Sequence, residues 1–213
     1  MLLKSEREKI VIYCRKLIET GLTKGTGGNI SIVDREHGYI AISSSGQDYY
    51  EMEASDVAVI DFEGNIIEGN RKPSSEYQMH TMIYKNFPQA SSVVHCHSVY
   101  ATSLSILRED LPASNYLLAS GGGNNVRCSK YASFGSKEIG LACVEALKDR
   151  KACLLANHGQ ITYAESIEKA FSIASTIEEC AMTYMIARSV GKPVILDDKE
   201  MEFMVGKFKG YGR

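Results

Sequence analysis

The chain has 213 residues, 44% hydrophobic and 23% charged, with 24 Lys and Arg against 26 Asp and Glu for a formal charge of −2. These values fit one globular domain spanning 1–213 with a sizeable core, and the absence of any basic stripe argues against nucleic acid as a partner. The opening "MLLKSEREKI" is charged where a signal peptide needs an apolar run, and no apolar stretch approaches the roughly 18 residues of a membrane span, so a cytoplasmic protein without membrane contact is expected.

Ser5 and Glu8 form an S-x-x-E pattern that predicts a capped helix over "KIVIYCRKLIETG", stopped at Gly21. After the loop "TKGTGGN" come the strand-like runs "NISIV", "YIAIS", "VAVID" and "NIIEG", the last two joined by the turn "DFEGN". In "KPSSEYQMHTMIYKNF" the period changes to helical, with a serine cap after Pro73 and Glu76 in the first turn. "ASSVVHCHSV" returns to strand. A helical patch, the glycine-rich "SGGGNNV" and the amphipathic helix "GSKEIGLACVEALKDR" follow. "ACLLANHGQITY" predicts two strands about a turn, "ESIEKAFSIASTIEECAMTYMIARSVG" a long helix, and the tail a helix with acidic residues in its first turn. Interleaved strands and helices place the chain in the α/β class.

Two histidines two residues apart, His95 and His97, project to one face of a strand. Either they converge on one ion or they are polar residues on a solvated face. His158, in the turn of "LLANHGQ", supplies a third imidazole if that strand lies near the first; three protein ligands and an open position suit a catalytic zinc. The intervening Cys96 points the other way. The six scattered cysteines have no C-x-x-C spacing and are expected reduced. Glu76 is either a helix-dipole partner or a general base beside the metal. Ser74 and Ser75 at that helix start, Thr26, Gly28 and Asn29 in "TKGTGGNIS", and the turn "SSSGQDYY" offer hydroxyls, amides and unsatisfied N–H groups for an anion.

Taken in order, G-T-G-G-N, P-S-S-E, H-x-H and N-H-G, together with "LPASNYLLASGGGN", "KYASFGS" and "FKGYG", resemble the class II aldolase/adducin family along essentially the whole chain. The resemblance implies a three-layer α/β/α fold with a central mixed, largely antiparallel sheet. It implies one Zn2+ per subunit on His95, His97 and His158, with Glu76 as the acid/base carboxylate that also reaches the metal. Gly28, Asn29, Ser45, Gly46, Ser74 and Ser75 match the phosphate-binding set, to which the loop's own chemistry adds the Thr26 hydroxyl; Tyr116 matches a tyrosine that protonates the aldehyde oxygen, and Phe134 and Tyr211 residues at the aldehyde end. The implied reaction is reversible cleavage of a ketose 1-phosphate, first of all L-fuculose 1-phosphate, into dihydroxyacetone phosphate and an aldehyde such as L-lactaldehyde, by way of a metal-stabilised enediolate and in the service of fucose catabolism. The implied assembly is a homotetramer with sites at subunit interfaces, Tyr116 and Tyr211 serving a neighbour. A sugar-phosphate 4-epimerase, a related dehydratase and a non-catalytic adducin-like scaffold remain as alternatives. No Asp or Glu occurs from Ala113 to Val126, where the epimerases carry an extra acid, which favours the aldolase.

Overall fold

The structure, a computed structural model, describes residues 1–210 apart from the side chain of Lys209, so Tyr211 lies outside the described residues. Helix α1 (Lys4–Glu19) precedes strands β1 (Asn29–Asp34), β2 (Tyr39–Ile42), β3 (Ala58–Asp61) and β4 (Ile66–Glu68). Then come α2 (Tyr77–Asn86), β5 (Ser92–Cys96), α3 (Val99–Leu107), β6 (Leu111–Pro112), a 3-10 turn (Tyr116–Gly121), β7 (Asn125–Cys128) and α4 (Lys137–Ala146). The chain continues through β8 (Ala152–Leu155), β9 (Gly159–Ala164), α5 (Ile167–Val190) and α6 (Asp198–Gly210). The strands form one sheet in the order β4-β3-β2-β1-β5-β9-β8-β7-β6. Every neighbouring pair is antiparallel except β7 with β8, because most strands are joined by hairpins or short returns.

Side-chain alternation divides the core into two layers. Ile30, Val94, Cys96 and Leu154 pack under α1, α3, α5 and α6 with Ile10, Leu104, Ile177 and Met201. Ile40, Ile60, Val93, Cys153 and Ile161 pack under α2 and α4 with Met79, Ile83, Ile139 and Cys143. The three-layer arrangement expected from the sequence is present. His95, two residues after Val93, therefore faces α2, while Cys96 faces the opposite core. All six cysteines are free thiols. Among the described residues no helix is long and apolar enough to cross a membrane.

Three local expectations are corrected. Helix α1 begins at Lys4, after Leu3 in a left-handed conformation and without a side-chain cap, so Ser5 lies inside the helix. The end is tied instead by Glu68 of β4, whose carboxylate accepts from the Leu2 N–H at 3.1 Å and from the buried Arg7 at 2.8 Å. Glu76 is the residue before α2, with φ −99° and ψ 13°, rather than part of its first turn. Ser74 Oγ accepts the Glu76 N–H at 3.3 Å. The β5–β9 ladder closes at Cys96 opposite Gln160, so His97 sits just beyond the strand.

Candidate metal centre

Four side chains meet at the carboxyl end of β5. His95 and His97 approach through Nε2 atoms 3.0 Å apart, and His158 Nε2 lies 3.1 Å from that of His97. Glu76 closes the group, Oε2 at 3.2 Å from His95 Nε2 and Oε1 at 3.4 Å from His158 Nε2. The ligand atoms all lie within 4.8 Å of one another, and no second cluster of this kind forms among the described residues. Each comes from a different element: Glu76 from the start of α2, His95 from β5, His97 from the bend into α3, His158 from the β8–β9 turn. The bend is held because the Glu178 carboxylate of α5 accepts the N–H groups of Tyr100 and Ala101 at 2.9 and 2.8 Å.

The donor set fits a divalent cation. Nitrogens about 2.0–2.1 Å from a tetrahedral zinc lie about 3.3–3.4 Å apart, close to the separations found here. His95 Nδ1 donates to the Gln160 carbonyl at 2.8 Å, which turns Nε2 toward the cluster. Glu76 Oε1 is buried and has no hydrogen-bond partner of its own. Burial by itself would raise the Glu76 carboxyl, but the charge and hydrogen bond of His95, with His158 and Asn29, hold it far below the usual carboxylate range. Burial would lower His95, yet the Glu76 carboxylate raises it. Desolvation followed by the neighbouring His95 lowers His97 to about 3 and His158 to about 4. At neutral pH those two imidazoles present bare lone pairs.

A polar cradle adjoins this cluster. Ser43 bridges β1 and β2, its N–H donating to the Ile30 carbonyl at 3.0 Å and its hydroxyl accepting from the Ile30 N–H at 3.1 Å. Beyond it the chain pairs with the segment before α2: Ser74 N–H donates to the Ser43 carbonyl at 2.9 Å and Ser45 N–H to that of Lys72 at 3.1 Å. The loop before β1, the turn at 45–46 and the serines at 74–75 are thus drawn together. Thr26, Ser45, Gly46 and Ser75 are exposed and Ser74 is buried. The buried Tyr49 donates its hydroxyl to the Gly28 carbonyl at 2.7 Å, fixing the loop from beneath. Gly28 has φ +74°, and a Cβ there would meet the His95 carbonyl oxygen at 2.6 Å, so only glycine lets this loop lie against β5.

The model of the class II aldolase and adducin N-terminal domain matches residues 8–185. The chain belongs to this family. It is 49% identical over 213 residues, all of both chains, to a 5-deoxy-D-ribulose 1-phosphate aldolase of Bacillus thuringiensis, and 38% identical over 205 residues to an L-fuculose phosphate aldolase of Escherichia coli, covering 96% of this chain and 94% of that one. A solved L-fuculose 1-phosphate aldolase superposes with a TM-score of 0.94 at 45% identity over 96% of each chain. This member of the class II aldolase family is a lyase, and its Glu76, His95, His97 and His158 form a cluster that could bind a metal ion.

Tyr116 and Phe134 are not members of the cluster. Tyr116 opens the 3-10 turn at the β6–β7 edge of the sheet and is 50% exposed. Phe134 is 71% exposed, beside Gly135, which abuts the Ser75 carbonyl. The Asn29 amide does not face the exposed hydroxyls: Nδ2 donates to Glu76 Oε2 at 3.0 Å, and Oδ1 meets His80 Nε2 at 2.5 Å. His80, Ser31, Tyr49, Gln160 and Glu178 were not singled out from the sequence. Only the position of His80, one turn after Glu76 on a helix, could have pointed to any of them.

Proposed function

We propose that the protein is a zinc-dependent aldolase that reversibly cleaves a ketose 1-phosphate into dihydroxyacetone phosphate and a short aldehyde. The observation that carries this is the convergence of three imidazole Nε2 atoms and one carboxylate beside a cradle of N–H and hydroxyl groups. His95, His97 and His158 would hold the cation, with Glu76 reaching it when substrate is absent. Bound there, the cation supplies positive charge against the electron-rich fragment left when the C3–C4 bond breaks. The substrate phosphate rests on the backbone and hydroxyls of Thr26, Gly28, Ser45, Gly46, Ser74 and Ser75, with Asn29 at the inner edge. That anchor brings the reacting carbon within reach of Glu76, which returns a proton to C3 in cleavage and removes it in condensation. Tyr116 gives its phenolic proton to the aldehyde oxygen in condensation and takes it back in cleavage.

Tyr116 and Phe134 are large exposed side chains, which supports their serving a site shared between protomers of a homotetramer. Tyr211, beyond the described residues, is assigned to the same aldehyde end. Full-length identity of 49% to a 5-deoxy-D-ribulose 1-phosphate aldolase favours a 5-deoxypentulose 1-phosphate, with acetaldehyde as the two-carbon product. L-Fuculose 1-phosphate, giving lactaldehyde, is the second candidate. The intact histidine trio speaks against the adducin-like scaffold.

The test is release of dihydroxyacetone phosphate, followed by its coupled reduction, from both ketose 1-phosphates, with zinc-loaded and chelator-stripped protein. Cleavage that disappears on stripping and returns with zinc is expected. Interconversion of ribulose 5-phosphate with its 4-epimer, without cleavage, would replace the aldolase by the epimerase. Failure to bind zinc near one per chain would remove the metal from the account.

A further inference from the structure

Beneath Glu76 the structure holds a buried polar chain whose deeper members, His80, Ser31 and Tyr84, the reaction as described does not use. Tyr84 Oη lies 2.7 Å from Ser31 Oγ, Ser31 Oγ 2.6 Å from His80 Nδ1, His80 Nε2 2.5 Å from Asn29 Oδ1, and Asn29 Nδ2 3.0 Å from Glu76 Oε2. His80 and Ser31 have no exposed surface, Tyr84 has 1% and Asn29 has 3%. Every contact has two possible directions except the last. An ionised carboxylate only accepts, so Asn29 must turn its NH2 toward Glu76 and its carbonyl toward His80. His80 must then carry its proton on Nε2 and accept at Nδ1 from Ser31, whose oxygen accepts in turn from Tyr84. Burial lowers His80 to about 3, which keeps the imidazole neutral and able to play donor and acceptor at once.

We propose that His80 is a positioning residue: by donating to Asn29 Oδ1 it locks the amide in the one orientation that holds the Glu76 carboxylate in place for proton transfer. This rests on the acid/base role proposed for Glu76. An apolar residue would fill the same space under α2 without any such direction. A flipped Asn29 amide would put its carbonyl against the carboxylate and push Glu76 away from the reacting carbon. His80 is four residues after Glu76 and so on its face of the chain, while Ser31 is two residues after Asn29 on one face of β1. The spacing of Asn29 and Ser31 is thus set within β1, and His80 of α2 is joined to Glu76 through the residue that precedes that helix.

The test compares zinc-loaded wild type with His80→Phe, His80→Gln and Ser31→Ala. With 5-deoxyribulose 1-phosphate, His80→Phe is expected to retain about one zinc per chain and a KM within about threefold, while kcat falls roughly 10–100-fold. His80→Gln, whose amide donates to the same oxygen, should recover much of that loss. Crystal structures of wild type and His80→Phe supply a readout independent of turnover: the Asn29 amide and Glu76 carboxylate should be displaced in the variant. Unmoved side chains, a kcat within twofold of wild type, a rise in KM alone, or a glutamine variant no better than phenylalanine would each overturn the proposal. If His80→Phe does not fold, Ser31→Ala, which frees His80 Nδ1, decides by the same measurements. Should wild type cleave neither ketose 1-phosphate, the functional reading falls, and the displacement of Asn29 and Glu76 still decides whether His80 positions them.

Discussion

Two glycines in left-handed conformations separate the requirement of a turn from the requirement of a close approach. Gly28 has φ +74° and Gly46 φ +65°. A Cβ on Gly46 meets nothing within 4 Å, whereas one on Gly28 comes to 2.6 Å from the His95 carbonyl oxygen and 3.3 Å from the Cys96 Cα. Gly46→Ala should therefore cost only the left-handed strain, about 1–2 kcal/mol. Gly28→Ala adds an overlap with backbone, which cannot swing aside as a side chain does; overpacking of this kind adds typically ~1–3 kcal/mol. The total of roughly 2–5 kcal/mol corresponds to a fall in Tm of about 4–20 °C for a chain of this size, against about 2–8 °C for Gly46→Ala. Relief requires β1 and β5 to part at Asn29 and His95, which face each other in the register. Zinc affinity should consequently drop about 10–100-fold in Gly28→Ala alone. Thermal unfolding followed by circular dichroism and zinc competition with a chromophoric chelator measure both. Equal Tm shifts in the two variants, or undiminished zinc affinity in Gly28→Ala, would refute the reasoning.

Three further outcomes are expected. Glu76→Gln leaves three imidazoles and should keep its zinc, while losing about 10²–10⁴-fold in turnover; near-normal cleavage would remove Glu76 from the proton transfer. Because the Glu76 carboxylate raises His95 above its ordinary 6.5 in the metal-free protein, zinc must displace a proton there. Apparent zinc affinity should climb with pH below the raised value and level off above it, with no contribution from His97 and His158, already neutral at about 3 and about 4. A flat affinity between pH 6 and 8 would contradict this. Mixing Glu76→Gln with Tyr116→Phe under subunit exchange should restore part of the activity each has lost, since mixed assemblies contain sites with both groups intact. Activity no higher than the average of the two variants would place Tyr116 and Glu76 in a site made by one chain.

The pattern of apolar residues specified most elements directly. The helical period of α5, the turn "DFEGN" and the two apolar runs that flank the turn at His158 are local features whose physics involves only near neighbours. Where reading failed, a distant partner had intervened. Ser5 looks like a cap, but Glu68 reaches Leu2 and Arg7 from 66 and 61 residues away, and the helix starts earlier. Glu76 looks like a first-turn acid, but Asn29 and His95 draw its carboxylate inward, off the helix. Asn29 keeps the anion-side place proposed for its loop, but its amide is also oriented by His80, 51 residues away, a partner that nothing in the neighbourhood of Asn29 announces.

The sequence by itself determined the ligand types, their order and the alternation that turns His95 to one side and Cys96 to the other, because side-chain chemistry and strand periodicity are properties of a few consecutive residues. Only the tertiary structure decided that the imidazoles of 95, 97 and 158 come within about 3 Å of their neighbours, and that the carboxylate among them is braced by a buried histidine. Those distances depend on which strands lie side by side, and strand order follows from packing of the whole chain rather than from any stretch of it.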